Sequence, residues 1–431
     1  MSERPRVLFW PIGDETLETA SSDAESALSN LSKSKLDVTA VEEMTWWKPT
    51  EIPRLANSIK NCDIDAIVIF AVTYYTALCI IAIVKRFKLP TVVWTTPTRY
   101  SLAASGLAVS YLRERGHWLR LLCNEPGDES VRSEIEQIAR AAHALRKSES
   151  SRIGIIGRRS PLMVSLPYDL ELLQKKLGPR TIEISIRSLD KALHRIRSTE
   201  VDAKVSELKE KFGIKVSDEI LTKAVRFQLA VRKLVTQYHV EGIALECWTN
   251  LFLKYGVNPC LGHVDDLMVG CEGDVVNLCG SIILRNINGV NPYLTDLLAV
   301  DEKSNTIKLS HCSAPISLAK NASEVSLVGR TEHGKVDKVG KTVFLHFEFK
   351  NGPVTLARFY GRRLDRLYLA SGELRSTGEY WGGIQLDVHS DNKVSRFLDH
   401  VSGNHYLVTY GDIRPELRLF AEWNDLEVLE D

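Results

Sequence analysis

Residues 66–84 read AIVIFAVTYYTALCIIAIV, nineteen residues without a charged side chain. An apolar run of this length is nominally long enough to span a bilayer. The polar segment Thr73-Tyr-Tyr-Thr76 divides it, however, and a buried strand at Ala66–Val72 followed by a core-facing helix gives the same apolar length. We therefore interpret this stretch as one strand and one helix of a soluble α/β protein, with no membrane segment.

The same alternation continues on both sides of this stretch. Short apolar runs typical of buried strands are separated by longer segments with helical periodicity. The strand candidates are Val7–Ile12, Asp37–Val41, Ala66–Val72, Thr91–Thr95 and Trp118–Cys123, and the helices include Tyr75–Phe87 and Val131–Leu145. Such alternation predicts a doubly wound parallel sheet. No Gly-x-Gly-x-x-Gly motif opens the first helix, so we expect no nucleotide cofactor.

Two changes in the sequence divide the chain. The polar segment Lys147–Ser151 ends the first α/β series, and the apolar run Arg152–Gly157 begins a second one. Beyond Asn305 the sequence becomes rich in strand candidates, namely Ile307–Leu309, Val325–Val328, Thr342–Phe349, Val354–Phe359 and Leu367–Ala370. We therefore predict an α/β fold with two doubly wound parallel-sheet domains, residues 1–150 and 151–305, followed by a β-rich, barrel-like domain at residues 306–431.

The amino-acid composition indicates which binding partners and which cellular compartment to expect. The 431 residues include 55 basic and 55 acidic side chains, so the formal net charge is zero, and we expect neither nucleic acid nor a membrane as a partner. The eight cysteines contain no Cys-x-x-Cys pair, which argues against disulfides and structural zinc. We interpret Cys271 and Cys312 as small buried residues. Because the first residues lack the long apolar segment of a signal peptide, we expect a cytoplasmic protein.

Carboxylate and imidazole side chains stand where strands and helices are expected to end. Glu272 lies in Gly-Cys-Glu-Gly-Asp, Asp296 ends Asn-Pro-Tyr-Leu-Thr-Asp, and His311 and His405 follow in Ser-His and Asn-His. Taken singly, an acidic residue is common at a helix start, and a lone histidine is usually a satisfied surface or core residue. Together, two carboxylates and one or two imidazoles suit a divalent ion such as manganese.

Seven short motifs follow one another between residues 246 and 412. They are Glu-Cys-Trp (246–248), Pro-Cys (259–260), Glu-Gly-Asp (272–274), Pro-x-x-x-Asp (292–296), Ser-His-Cys-Ser-Ala (310–314), Asn-His (404–405) and Tyr-Gly-Asp (410–412). In this order they resemble the L-fucose isomerase and L-arabinose isomerase superfamily, and the resemblance covers essentially the whole chain. The step of 24 residues from Glu272 to Asp296 is similar to the step between the two metal-binding carboxylates of fucose isomerases.

The resemblance implies roles for the residues that match these motifs. Glu272 and Asp296 correspond to carboxylates that bind the metal and exchange protons with the sugar as general base and acid. His405 corresponds to an imidazole ligand from the C-terminal domain. His311 looks like the additional histidine ligand of arabinose isomerases, which leaves open whether it binds the metal or contacts the sugar.

Two further residues are candidates for contact with the substrate. Asn404 matches a position near the sugar in the family. Trp381 could stack on a sugar face, or it could belong to the core. Since a neighbouring subunit closes the pocket in fucose isomerases, the resemblance also implies a homo-oligomer, either a trimer or a hexamer.

We therefore predict a metal-dependent aldose–ketose isomerase with Mn²⁺, or another divalent cation, as its cofactor. Its expected substrate is a free monosaccharide, a pentose or 6-deoxyhexose such as L-fucose, D-arabinose or L-arabinose, which it interconverts with the ketose through an enediolate. Two alternatives remain. The α/β domains could form a non-catalytic sugar-binding or regulatory protein, or the chain could be a related isomerase or epimerase that acts on a modified sugar.

Overall fold

The computed structural model describes the whole chain except residues 1–2, 15, 46–47, 60–61, 162, 165–168, 248–249, 330, 333–334, 337–341 and 381–382. The chain divides into two compact units, Met1–Arg146 and Lys147–Asp431. A further division near residue 305 remains a prediction.

The first unit alternates strands and helices along the chain. Its elements are β1 (Arg6–Ile12), α1 (Glu18–Ser32), β2 (Asp37–Ala40), α2 (Ile52–Ser58), β3 (Ala66–Ala71), α3 (Ala77–Phe87), β4 (Thr91–Thr95), α4 (Ser101–Arg113), β5 (Leu119–Cys123) and α5 (Glu129–Ser150), the last of which continues into the second unit. All neighbouring strands are parallel, in the order β2-β1-β3-β4-β5.

Residues 66–87 thus form a buried strand and a separate helix, as the sequence predicts. Every residue of β3 is buried, as is typical of the central strand of a parallel sheet, and β1 and β4 pair with both of its edges. Strand β4 contributes Trp94, and β1 contributes Trp10, two of the largest fully buried side chains of the protein. No helix among the described residues is both long and apolar enough to cross a membrane.

The second unit begins as another α/β series. Its first elements are β6 (Arg152–Ile156), α6 (Leu170–Leu177), β7 (Arg180–Ile184), α7 (Ile186–His194), α8 (Ser198–Lys211), β8 (Gly213–Lys215), α9 (Asp218–Tyr238), β9 (Gly242–Leu245), α10 (Asn250–Tyr255), β10 (Met268–Gly270) and α11 (Val275–Asn288). Strands β10, β9, β6 and β7 form a parallel sheet in that order, so their carboxyl ends share one edge.

The chain then becomes predominantly β-structure. The remaining elements are β11 (Tyr293–Asp301), β12 (Thr306–His311), β13 (Ser326–Val328), β14 (Thr331–Glu332), β15 (Lys335–Val336), β16 (Phe344–His346), β17 (Gly352–Tyr360), β18 (Arg366–Tyr380), β19 (Ile384–Ser390), α12 (Val394–Asp399), β20 (His405–Tyr410), α13 (Arg414–Trp423) and β21 (Glu427–Glu430). Strand β13 joins β16 and β8 in a small separate sheet, and β14 pairs with β15.

Six of these strands close a barrel. The antiparallel order is β17-β20-β11-β12-β19-β18, and β18 pairs back onto β17. Helix α11 leads from the parallel sheet to the barrel and packs on β17 and β20. One apolar core runs from the parallel sheet into the barrel. The predicted parallel sheets and barrel-like C-terminal part are therefore confirmed, whereas a doubly wound arrangement of both sheets remains a prediction.

Candidate active site

Three side chains meet at neighbouring strands of the barrel. Strand β11 lies between β20 and β12. Asp296 on β11 is paired directly with His405, the first residue of β20. On its other side Asp296 is paired with Ser310, which precedes His311 at the end of β12. Directly opposed residues have Cβ atoms about 4.5–5.5 Å apart, so the strand register brings Asp296 and His405 together. His311 joins them from the last position of β12, one residue beyond the partner of Asp296.

The geometry of this group suits a metal ion. One potential ligand atom from each of Asp296, His311 and His405 lies within 4.8 Å of the other two. Asp296 Oδ2 is 3.8 Å from His311 Nε2, and Asp296 Oδ1 is 3.5 Å from His405 Nε2. Both imidazoles are buried, and neither Nε2 atom has a hydrogen-bond partner within the described ranges. Two buried nitrogens left without partners beside one carboxylate form a donor set for a divalent cation.

A buried carboxylate orients His405. The Nδ1 atom of His405 donates to Asp274 Oδ2 at 2.8 Å, which leaves Nε2 as the nitrogen that faces Asp296. Asp274 also caps helix α11, since its Oδ1 accepts a 2.9 Å hydrogen bond from the backbone N–H of Asn277. Burial alone would raise the pKa of Asp274, but the hydrogen bonds from His405 and Asn277 hold it below its usual value. The carboxylate therefore stays charged.

Two further hydrogen bonds hold His405 and Asp296 in place. Arg358, which is fully buried, donates a hydrogen bond from Nη1 to the backbone carbonyl of His405. Asn404 donates from Nδ2 to Asp296 Oδ1 at 2.9 Å. The structure thus brings the predicted sugar-contact residue Asn404 beside the candidate ligand group, where its amide fixes one carboxylate oxygen.

Glu272 lies next to this group but outside the three-residue cluster. It occupies the middle of a 3-10 turn, Cys271–Gly273, with φ 57° and ψ 19°, a left-handed conformation that is uncommon for a residue other than glycine. Burial raises the pKa of Glu272, while the charges of His405 and His311 act in the opposite direction. Glu272 is therefore close enough to interact electrostatically with both imidazoles. Strained backbone of this kind is concentrated at functional sites.

His311 lies beside a cluster of thiols. The cluster consists of Cys312, which interacts with His311 directly, and of Cys260, Cys271 and Cys247, which interact with one another. Burial alone would lower the pKa of His311, but Cys312 and the carboxylates of Asp296 and Glu272 raise it to about 10. The same negative surroundings would also favour a cation bound at Nε2 of His311 in place of a proton. The prediction of a small buried residue is confirmed for Cys271 but is wrong for Cys312, which is half-buried and interacts with a candidate ligand.

The sequence did not identify every residue that surrounds the site. His263 is buried near His311, its Nδ1 atom has no hydrogen-bond partner in the described part of the chain, and burial lowers its pKa to about 3. Nothing in the local sequence distinguishes it from a core histidine. Asp274 stood in the Glu-Gly-Asp motif but was expected only at a helix start. Trp381 lies outside the described residues.

Comparison with known proteins supports a catalytic role. No family model matches the chain. The chain is 24% identical over 443 residues to a sulfoquinovose isomerase from Priestia aryabhattai, covering 98% of each sequence. Similar proteins of the same name occur in Alkalicoccus urumqiensis, with 23% identity over 450 residues, and in Clostridium sp. (strain MSTE9), with 25% identity over 451 residues; 98% of this chain is covered in both. This full-length similarity indicates that the chain is an enzyme, an intramolecular oxidoreductase of the aldose–ketose isomerase class, as the sequence predicts.

Proposed function

We propose that this chain is a divalent-metal-dependent aldose–ketose isomerase and that its substrate is sulfoquinovose, a glucose derivative with a sulfonate at C6. The observation that carries the proposal is the Asp296, His311 and His405 group in a chain similar over its whole length to sulfoquinovose isomerases. Among the alternatives left open by the sequence, an isomerase that acts on a modified sugar agrees best with those relatives. The neutral sugars L-fucose, D-arabinose and L-arabinose become comparison substrates.

The residues that would hold the cation are Asp296, His311 and His405. One carboxylate oxygen and two imidazole nitrogens suit a borderline divalent ion, and we propose Mn²⁺ first. A cation bound there supplies a Lewis acid for sugar oxygens. Asp274 fixes the orientation of His405, and Asn404 fixes that of Asp296. The family resemblance also implies metal binding by Glu272, but Glu272 is not part of the three-residue group, and we assign it a different role.

The reaction moves hydrogen between two neighbouring carbons. A base removes the proton from C2 of the open-chain aldose and returns a proton to C1, while the hydroxyl proton on O2 passes to O1, so that the aldose and the ketose have the same composition. We assign the base to Glu272, which is half-buried beside the two imidazoles and lies outside the ligand group. Asp296 is the other carboxylate beside the two imidazoles and is the candidate for general acid. Asn404 would bind sugar hydroxyls.

The experiment is a metal-dependent product assay. Protein freed of metal with a chelator is supplied with Mn²⁺ and incubated in D₂O with sulfoquinovose, L-fucose, D-arabinose or L-arabinose. We expect ketose from sulfoquinovose only with metal, together with deuterium at the carbon that receives the proton. An epimer instead of a ketose would reassign the reaction, and no product from any of these sugars would contradict the proposal.

A matched pair of variants separates the site from the fold. Asp296→Asn removes the proposed ligand from β11, whereas Asp301→Asn changes an aspartate at the other end of the same strand, where it binds Ser304. We expect the first variant to lose ketose formation and the second to retain it. Oligomeric state and a cytoplasmic location remain predictions, which size-exclusion chromatography and fractionation of the source cells would test.

A further inference from the structure

A cleft of about 710 Å³ opens at the carboxyl ends of β6 and β7. Its walls carry Arg158 and Arg159, which follow β6, and Glu183 and Ser185, which close β7 and begin helix α7. Clefts of this volume accept small ligands. None of these four residues has a role in the group formed by Asp296, His311 and His405.

The loop that carries the two arginines packs directly on the Glu272 turn. The backbone N–H of Ser160 donates to the carbonyl of Glu272 at 2.9 Å. A Cβ atom on Gly273, which has φ of +73°, would lie 2.7 Å from the carbonyl oxygen of Arg158, so that only glycine permits this approach. One short loop therefore lines the cleft and also supports the turn on which Glu272 stands.

The order of the strands sets the distance between the end of β10, which leads into the Glu272 turn, and the end of β6, which leads into the arginine loop. The Glu272 turn follows β10, and the arginine loop follows β6, which is two positions away in the order β10-β9-β6-β7. Neighbouring strands lie about 4.8 Å apart, so the two strand ends are separated by roughly 10 Å along one sheet edge. The carboxyl edge of a parallel sheet is where α/β proteins bind ligands. A sugar that reacts beside Glu272 can thus extend its far end toward β6.

The charge of the cleft suits an anion. Its lining contains two arginines and one acidic residue, Glu183, in a chain whose formal net charge is zero. Arginine stays protonated at every physiological pH, and its planar donors match the oxygens of a sulfonate or phosphate. Ser185 caps helix α7, so the positive end of that helix dipole also points at this wall.

We propose that this cleft, the arginine cleft, binds the anionic group at C6 of the sugar while C1 and C2 lie at the Asp296, His311 and His405 group. The inference rests on the proposed function and makes it more specific, because it assigns selectivity for a sulfonated aldose over a neutral one to Arg158 and Arg159. A sugar held by O1 and O2 presents its C6 substituent at the opposite end of the carbon chain, which is where a second, anion-binding site is needed.

The test compares two sugars that differ only in the sulfonate. Sulfoquinovose and 6-deoxyglucose are assayed with the wild type, Arg158→Ala, Arg159→Ala and the double variant. We expect the ratio of kcat/KM for sulfoquinovose to that for 6-deoxyglucose to fall at least tenfold in each single variant and further in the double variant, mainly through KM for sulfoquinovose, because each variant removes donors to a charged group. Arg158→Lys should recover part of the ratio.

Arg180→Ala is the matched control, since Arg180 is exposed on β7 at the opposite end of the same strand pair. Binding of the alditol made by reducing sulfoquinovose, measured by calorimetry, tests the cleft without turnover, and its Kd should rise at least tenfold in the arginine-cleft variants only. If the wild type isomerises sulfoquinovose and the variants keep both its selectivity and its Kd, the arginine cleft is not the sulfonate site, although the proposed function stands.

A second outcome distinguishes a failure of the proposed function from a failure of the arginine-cleft proposal. If the wild type isomerises no aldose, the proposed function fails, and the arginine cleft is then tested by binding of the alditol alone. Tight binding of the alditol that is lost in both arginine-cleft variants and retained in Arg180→Ala would still support an anion site there. Equal binding by all proteins, or none by the wild type, would overturn it.

Discussion

The Nδ1 atom of His405 lies 2.8 Å from Oδ2 of Asp274, and both side chains are completely buried. His405 belongs to a barrel strand, whereas Asp274 begins the helix that follows the parallel sheet. The contact therefore joins the two halves of the second unit at the candidate metal site. A carboxylate behind a ligating histidine fixes its tautomer and increases its basicity.

Asp274→Asn should weaken metal binding without unfolding the protein. Asparagine caps a helix as well as aspartate does, so α11 should form normally. The loss of the charged partner of His405 should lower the affinity for Mn²⁺ by about 10 to 100-fold, as calorimetry on metal-free protein would measure. Asp301→Asn serves as the control. An unchanged affinity in Asp274→Asn would show that His405 binds without help from this carboxylate.

Glu272→Gln and Asp296→Asn should differ in their effects on metal binding. Asp296 is inside the three-residue group, and Glu272 is outside it. Asp296→Asn should therefore lose both metal affinity and turnover. Glu272→Gln should keep most of its Mn²⁺ affinity while kcat falls by about 10² to 10⁴-fold, the usual contribution of a general base. A Glu272→Gln protein that loses metal as severely as Asp296→Asn would establish Glu272 as a ligand of equal importance.

Arg358→Met should destabilise the barrel near His405. The substitution keeps an apolar stem of similar shape and removes the donor to the carbonyl of His405. A buried acceptor left unsatisfied costs about 1–3 kcal/mol, so the free energy of unfolding measured with urea should fall by about 2 kcal/mol. Arg362→Met, at an exposed position just after β17, should change it little. Equal stability of the two variants would argue against the assigned contact.

Local patterns predicted much of the fold. Strand β4 has the predicted limits, and β3 and α3 differ from them by one or two residues, because periodicity and flanking polar residues are local properties. The barrel strands were predicted less well. Strand β18 runs for 15 residues, Arg366–Tyr380, although only Leu367–Ala370 was expected. Its length depends on pairing with β17, β19 and β21, which no local window contains.

The arrangement of the candidate site also depends on strand pairing that the local sequence does not contain. Chemical type, an expected position at the ends of strands and helices, and the family resemblance singled out Glu272, Asp296, His311 and His405. The expected position is wrong for Asp296, which lies inside β11. The direct pairing of Asp296 with His405 joins residues far apart in the chain, and it depends on the register of β11 against β20. Asp274 resembled an ordinary helix cap because one of its oxygens has that role; its other oxygen accepts a hydrogen bond from His405, which is 131 residues away in the sequence.

Thiol reactivity should separate Cys62 from the other cysteines. Cys62 is exposed, whereas Cys79, Cys247, Cys260, Cys271 and Cys279 are buried. Burial raises the pKa of Cys79 to about 11 and that of Cys279 well above its usual value, so few of these thiols are ionised at pH 8. Titration of native protein with a chromogenic disulfide should give one fast thiol, and denatured protein should give all eight. Cys62→Ser should abolish the fast phase, and a fast thiol that persists would place the reactivity at Cys123 or Cys312, which are half-buried.

Asp65→Asn should destabilise the first unit at neutral pH. The buried carboxylate of Asp65 accepts hydrogen bonds from His143 Nδ1 at 3.0 Å, from Arg146 Nε at 2.5 Å and from the backbone N–H of Arg6 at 2.7 Å. Burial alone would raise the pKa of Asp65, but these donors lower it below its usual value. Removing one partner of a buried ion pair costs about 3–5 kcal/mol, so we expect a loss of about 3 kcal/mol at pH 7.

The pH dependence of this loss follows from the direction of the pKa shift. Because the pKa of Asp65 is lower in the folded than in the unfolded state, its contribution is fully present above the unfolded value near 4 and is lost as the pH falls through the folded value. The difference in urea midpoint between wild type and Asp65→Asn should therefore be constant from pH 7 to pH 5 and shrink toward pH 3. Asp63→Asn is the control, since Asp63 is exposed and pairs with the same Arg6 at 3.0 Å. An equally large, pH-independent loss in both variants would show that the buried charge of Asp65 is not the cause.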